Sequence, residues 1–133
     1  MSEIFNWPVR VYYEDTDASG VVYHANYLRW FERARSEWLR SLGRSHRVLA
    51  EQYGAAFTLA RVEVDYRRPA RLDDLLTVTV AVAERGRASL IFAQTLHRDG
   101  DPSAVLATAR MRVACVDVGT FKPRPWPTGW LDE

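Results

Sequence analysis

Cysteine, histidine and long apolar runs are all scarce in this 133-residue chain. A single cysteine, Cys115, excludes an intrachain disulfide framework. With 3 histidines scattered along the sequence there is no ligand cluster of zinc type, and nothing asks for a metal or any other cofactor. No run of residues approaches the roughly 20 apolar positions needed to cross a bilayer. The first residues, MSEIFNWPVR, lack the charged start and apolar core of a secretory leader, so the expected location is cytoplasmic. A dominant charge is missing as well. The 18 basic and 17 acidic residues interleave to a net +1, which provides no field for a nucleic-acid partner.

What is present is enough apolar material for one core. At 47% hydrophobic content, 133 residues support a single domain spanning 1–133 and are too few for two. The organising stretch runs from Val9 to Leu42. Val9, Val11 and Tyr13 alternate with Arg10, Tyr12 and Glu14, the period of a half-buried strand. Asp17-Ala18-Ser19-Gly20 then breaks the pattern, since Asp bonds its own following backbone and Gly20 tolerates angles that other residues resist. Asn26 is the expected N-cap of a helix whose apolar stripe is Tyr27, Trp30, Phe31, Ala34, Trp38 and Leu42, with Gly43 as its stop. Arg29, Arg33, Glu37 and Arg40 form its solvated face, with Arg33 and Glu37 paired four apart. Such a helix is roughly 24 Å long, enough to lie across about five strands.

Downstream the period changes from helical to alternating. Ser45 to Tyr53 is weakly helical and ends at Gly54. Strands are expected over 56–67, 75–84 and 88–97, and along the row Val105, Ala107, Ala109, Met111, Val113 and Cys115. Turns fall at Pro69 with Asp73-Asp74, at Arg85-Gly86-Arg87 and at Asp99-Gly100-Asp101-Pro102. Glu63 and Asp65 project from a strand's polar side, where cross-strand pairing with arginines is the expectation. From about 119 to 133 a proline-rich tail favours extended chain over packed secondary structure. These elements make an α+β layer pair, one long helix covering one face of a mostly antiparallel sheet of about five strands.

The strings VYYEDTDASGVVYHANYLRWFERAR and VEVDYRRPARLDDLLTV resemble the hotdog-fold thioesterases of the 4-hydroxybenzoyl-CoA thioesterase and YbgC-like family, from about Val9 to Val118. The resemblance implies a hotdog fold, a curved antiparallel sheet wrapped around the central helix. It also implies a homodimer or homotetramer with active sites where subunits meet. The family's catalytic aspartate falls on Asp17, and the backbone N–H that polarises the thioester carbonyl falls on His24. Tyr23, Asn26 and Tyr27 surround that position as substrate-binding candidates. Arg85 and Arg87 match a basic turn that contacts coenzyme A phosphates in relatives, although Gly86 sits where relatives can carry another basic residue. His24 matches the Tol-Pal-associated branch; the 4-hydroxybenzoyl branch has an aromatic residue and then Pro here, which argues against an aryl substrate.

The implied activity is hydrolysis of short- to medium-chain acyl-CoA. Asp17 would act as nucleophile, giving a mixed anhydride, or as general base toward water; residue types leave both open. Without the resemblance, Asp17 before Ser-Gly is a turn residue, and His24 is a helix-start residue bonded through its backbone. Cys115 lies in an apolar row with no nearby base and is no candidate nucleophile. Two rivals remain: a hotdog hydratase or dehydratase, which needs a His-Asp or His-Glu pair at the acyl α and β carbons, and a non-catalytic acyl-CoA or acyl-carrier binding protein.

Overall fold

Alternating side chains build the sheet. In the computed structural model, which describes residues 3–131, five antiparallel strands are β1 (Phe5–Arg10), β2 (Ala55–Tyr66), β3 (Leu75–Arg85), β4 (Ser89–Arg98) and β5 (Asp101–Asp117). Their spatial order is β1-β3-β4-β5-β2. Register shifts at Leu59/Arg61, Val82/Glu84 and Leu96/His97 are bulges, which bend strands and curve the sheet. Its inner face carries Val78, Val80, Leu90, Phe92, Met111 and Val113, all buried.

Helix α1 (His24–Ser41) lies against that face. Trp30, Phe31, Ala34 and Leu39 are buried, and Trp38 meets the Phe92 ring edge-on at 5.3 Å. Burying each large side chain contributes about 1.5–3 kcal/mol, and fully buried Ala34 lets helix and sheet approach closely. Helix α2 (His46–Tyr53) follows, capped by the Ser45 side chain accepting the Val48 N–H at 3.1 Å. The result is the hotdog arrangement of one central helix wrapped by a curved antiparallel sheet.

Several boundaries differ from expectation for local reasons. The first strand ends at Arg10 and does not continue to Glu14, because a 3-10 turn at Tyr13–Asp15 takes over once the Asp15 carboxylate accepts the Tyr12 N–H at 2.8 Å. Helix α1 begins at His24, with Tyr23 as its N-cap, so Asn26 sits inside the first turn. On its outer face the close pair is Arg40 with Glu37, not Arg33 with Glu37. Glu63 pairs with Arg61 along its own strand at 2.9 Å, although Arg110 stands opposite it in register.

The proline-rich tail forms little secondary structure but is packed. Trp126 meets Phe57 at 5.0 Å and donates its ring N–H to the Ser89 carbonyl, while Trp130 and Leu131 are buried. Arg44 holds the segment by donating to the Trp130 carbonyl at 2.9 Å. The final 132–133 of that stretch lie outside the described residues.

Candidate active site

The loop between β1 and α1 is held at both ends by backbone bonds. Asp17 N–H donates to the Val21 carbonyl at 2.9 Å and Gly20 N–H to the Asp17 carbonyl at 3.0 Å, with Gly20 at φ 85°, the left-handed region that glycine enters without strain. Val22 N–H donates to the Ala70 carbonyl, tying the loop to the segment before β3. Within this frame Asp17 is exposed. Its Oδ1 accepts the Ser19 hydroxyl at 2.5 Å and the Ser19 N–H at 2.8 Å. Those two bonds, hydroxyl first, hold its pKa below the ordinary carboxylate range, and the nearby His24 adds in the same direction.

Asp15 ties the loop to the helix, which the sequence reading missed. Its carboxylate is buried and accepts the Asn26 side-chain amide at 2.5 Å and the Tyr12 N–H, while its carbonyl accepts the Tyr23 N–H at 3.0 Å. Asn26 therefore points back into the loop and does not cap the helix. No side chain caps this helix end, and among the described residues neither the His24 nor the Ala25 N–H has an acceptor. Two open donors and the positive end of the helix dipole thus face the loop that bears Asp17.

Aromatic rings fix the helix start. Tyr66 donates its hydroxyl to the His24 carbonyl at 3.0 Å and stands edge-on to Tyr27 at 5.1 Å. Tyr27 is buried with its hydroxyl accepting the Ala70 N–H at 2.9 Å, so it props the site from inside the core. Tyr23 is exposed and its ring lies 4.6 Å from that of His24. The signal for Tyr66 was its place at the end of the inward-facing row of β2.

Arg85 and Arg87 are not brought to this site within one chain. They flank Gly86 in the β3–β4 turn, whereas Asp17 lies near the start of β3, and β3 is roughly 33 Å long at 3.3 Å per residue. Cys115 is buried, its thiol pushed up by burial, and faces the Pro125 carbonyl. Cavities of about 380 and 600 Å³ open on the outer sheet face, and Asp17 lines neither of them. A third, of about 390 Å³, lies on the inner side between α1 and β2, with Leu28, Phe57 and Leu59 in its walls.

Comparison with known proteins places the chain by sequence and by fold. The thioesterase-like superfamily model matches residues 11–133. The acyl-CoA thioesterase YbgC of Haemophilus influenzae is 49% identical over 92% of this chain and 88% of its own length. The acyl-CoA thioester hydrolase YbgC of Escherichia coli is 44% identical over 98% and 95% respectively. Among solved structures, a probable thioesterase from Bartonella henselae superimposes with a TM-score of 0.87 at 35% identity, covering 94% of this chain and all of that one. A 1,4-dihydroxy-2-naphthoyl-CoA thioesterase from Synechocystis does so with a TM-score of 0.86 at 26% identity, covering 96% and 93%. With sequence and fold in agreement, the chain belongs to the thioesterase-like superfamily, on its YbgC-like hotdog branch.

Proposed function

We propose that this YbgC-like thioesterase hydrolyses short- to medium-chain acyl-CoA thioesters to free acid and CoA, with Asp17 as the attacking carboxylate. The observation that carries this reading is the ionised, solvent-facing Asp17 beside the uncapped start of α1. A thiol with a pKa near 8.5 is already a fair leaving group, so the chemistry needs a placed nucleophile and a stabilised oxyanion. Asp17 attacks the carbonyl carbon, the His24 and Ala25 N–H groups take up the developing negative charge, and CoA leaves as thiolate. Water then cleaves the mixed anhydride to the acid and restores the carboxylate. A donor of this kind typically contributes about 3 kcal/mol to the transition state. Because Ser19 lowers the Asp17 pKa, the carboxylate is a poor proton acceptor, which favors direct attack over general-base activation of water.

The inner cavity of about 390 Å³ begins at Leu28, one helical turn from His24, and suits an acyl chain of modest length. His24 is read as orienting the acyl group or water through its ring, with exposed Tyr23 beside it. CoA binding draws on a second copy. The outer edge of β2 has no ladder partner among the described residues, and Leu59, Val62 and Tyr66 on its inner face are exposed. Pairing two β2 strands antiparallel about a two-fold axis brings the opposite end of the second sheet, with Arg85 and Arg87 of the partner subunit, toward the end that holds Asp17. Val62→Lys is expected to give monomers by light scattering; an intact dimer would rule this interface out.

The deciding experiment is thiol release from a panel of short, medium, long and aryl acyl-CoAs, with Asp17→Asn alongside. Turnover that the variant loses supports the reading. Binding without thiol release in either protein would point to the non-catalytic rival, and α,β-hydration without thiol release to the hydratase.

A further inference from the structure

Helix α1 carries an arginine within its buried stripe. Arg35 follows Phe31 by one turn and precedes Trp38 and Leu39, and it is only 8% exposed. Among the described residues no carboxylate forms an ion pair with it. Its Nη1 donates to the buried Gln94 Oε1 at 2.9 Å, and the guanidinium lies over the Phe92 ring at 6.0 Å. No other described residue accepts from its remaining N–H groups. The Glu32 charge acts on the guanidinium from beyond ion-pair distance, but burial outweighs it, so a cation with one direct acceptor stays under-satisfied unless something else accepts from it.

Arg35 borders the inner cavity of about 390 Å³, together with Leu28, Phe57, Leu59, Glu32 and His46. The polar groups around it are already engaged. The Ser36 hydroxyl donates to Glu32 at 2.8 Å and lies 3.1 Å from His46 Nε2, so Arg35 is the wall residue with donors to spare. Desolvation lowers the His46 pKa, which leaves the ring neutral at pH 7 and adds no cation to compete with Arg35. Along the helix, Arg35 lies roughly 16 Å from His24 at 1.5 Å per residue. An acyl group whose thioester sits at the helix start and whose chain runs past Leu28 ends beside the guanidinium.

We propose that Arg35 is a specificity-determining residue, selecting acyl groups that carry an oxygen acceptor at the end remote from the thioester. This rests on the reading of the α1 start as the thioester site. A hydrocarbon end would strip water from the guanidinium and return no acceptor, whereas a hydroxyl or keto oxygen accepts from it. A carboxylate shares that chemistry but meets the charge of Glu32, so the neutral oxygens are the better fit.

The test uses acyl-CoAs of equal length ending in methyl, hydroxyl, keto or carboxylate, and the matching S-alkyl-CoA thioethers, which bind without being cleaved. The wild-type protein is expected to favor the hydroxyl or keto end over methyl by about ten- to a hundredfold in kcat/KM and in thioether affinity. Arg35→Met is expected to bring that ratio near one by losing only the oxygen-ended substrates; Arg35→Lys retains part of the preference and serves if the Met variant does not fold. A purely structural Arg35 would lower all substrates alike, and that result, or equal wild-type handling of methyl and oxygen ends, overturns the proposal while leaving thioester hydrolysis intact. Oxygen-selective thioether binding without thiol release from any acyl-CoA would instead sustain Arg35 and overturn hydrolysis. Failure to bind any thioether overturns both.

Discussion

The two ends of α1 are finished in opposite ways. At its C-terminus the last turn is satisfied: Gly43 at φ 77° lets its N–H reach the Arg40 carbonyl, Arg44 N–H reaches that of Leu39, and the Arg44 guanidinium lies 5.3 Å from the Trp130 ring. At its N-terminus no side chain caps the helix, and two N–H groups have no acceptor among the described residues. Asp17, its pKa lowered by Ser19, lies in the loop that leads into it, close enough for the His24 charge to act on it. One end uses its hydrogen-bonding capacity within the chain; the other leaves two N–H groups without an acceptor among the described residues, where the proposed thioester carbonyl would sit. Such a division is what a folded scaffold with a reactive rim requires, since an unsatisfied helix start is tolerated where function needs it.

Substitutions at the two ends are expected to separate activity from stability. Asp17→Asn is expected to lower kcat by a factor near 10³ or more with only a small change in the unfolding midpoint, because the side chain is exposed and an Asn Oδ1 can still accept from Ser19. Thiol-release kinetics beside a thermal melt read both. At the sealed end, Trp130→Ala should cost about 3–5 kcal/mol in urea unfolding while kcat of the folded fraction stays the same. A loss of activity there without a loss of stability would break the comparison.

Asp15→Asn tests the joint between loop and helix. Its new NH2 group would meet either the Asn26 amide or the Tyr12 N–H, donor against donor, so a stability loss of about 1–3 kcal/mol and a roughly tenfold fall in kcat are expected. The kcat change should exceed the KM change if Asp15 positions Asp17 and does not hold substrate. Acid titration gives a smaller effect. Asp17 has a lowered folded pKa, so its carboxylate form persists above that value and is lost only as pH falls through it. On its account kcat should stay flat between about pH 7 and pH 5 and decline at lower pH than an ordinary aspartate would dictate. An acid limb near neutrality would assign the rate to another group. As the smallest effect, removing the exposed Arg47–Glu51 pair on α2 is expected to change stability by about 0.5 kcal/mol or less.

Much of this organisation was legible in residue order. Alternation located four of five strands to within a few residues, because a sheet with one buried face needs period two. It misplaced the first, since Val9 to Glu14 alternate equally well whether the chain stays in the ladder or leaves it at Val11. Asn26 illustrates the limit on caps: the residue type suits an N-cap, yet the competing acceptor was Asp15, eleven positions away. Arg35 could have been found by spacing alone as a charge within the apolar stripe; that it lacks an ion-pair partner could not.

Residue order by itself determined the α+β class, the single long helix and the Asp-Ala-Ser-Gly turn that holds the carboxylate, because these depend on periodicity and local backbone preference. Only the tertiary structure decided that the tail closes one helix end, that Asp15 locks the loop to the other, and that Arg85 and Arg87 stand at the far end of the sheet from Asp17. Those outcomes rest on pairings between residues distant in the chain, and contacts of that kind are set by which strands become neighbours, which no local pattern records.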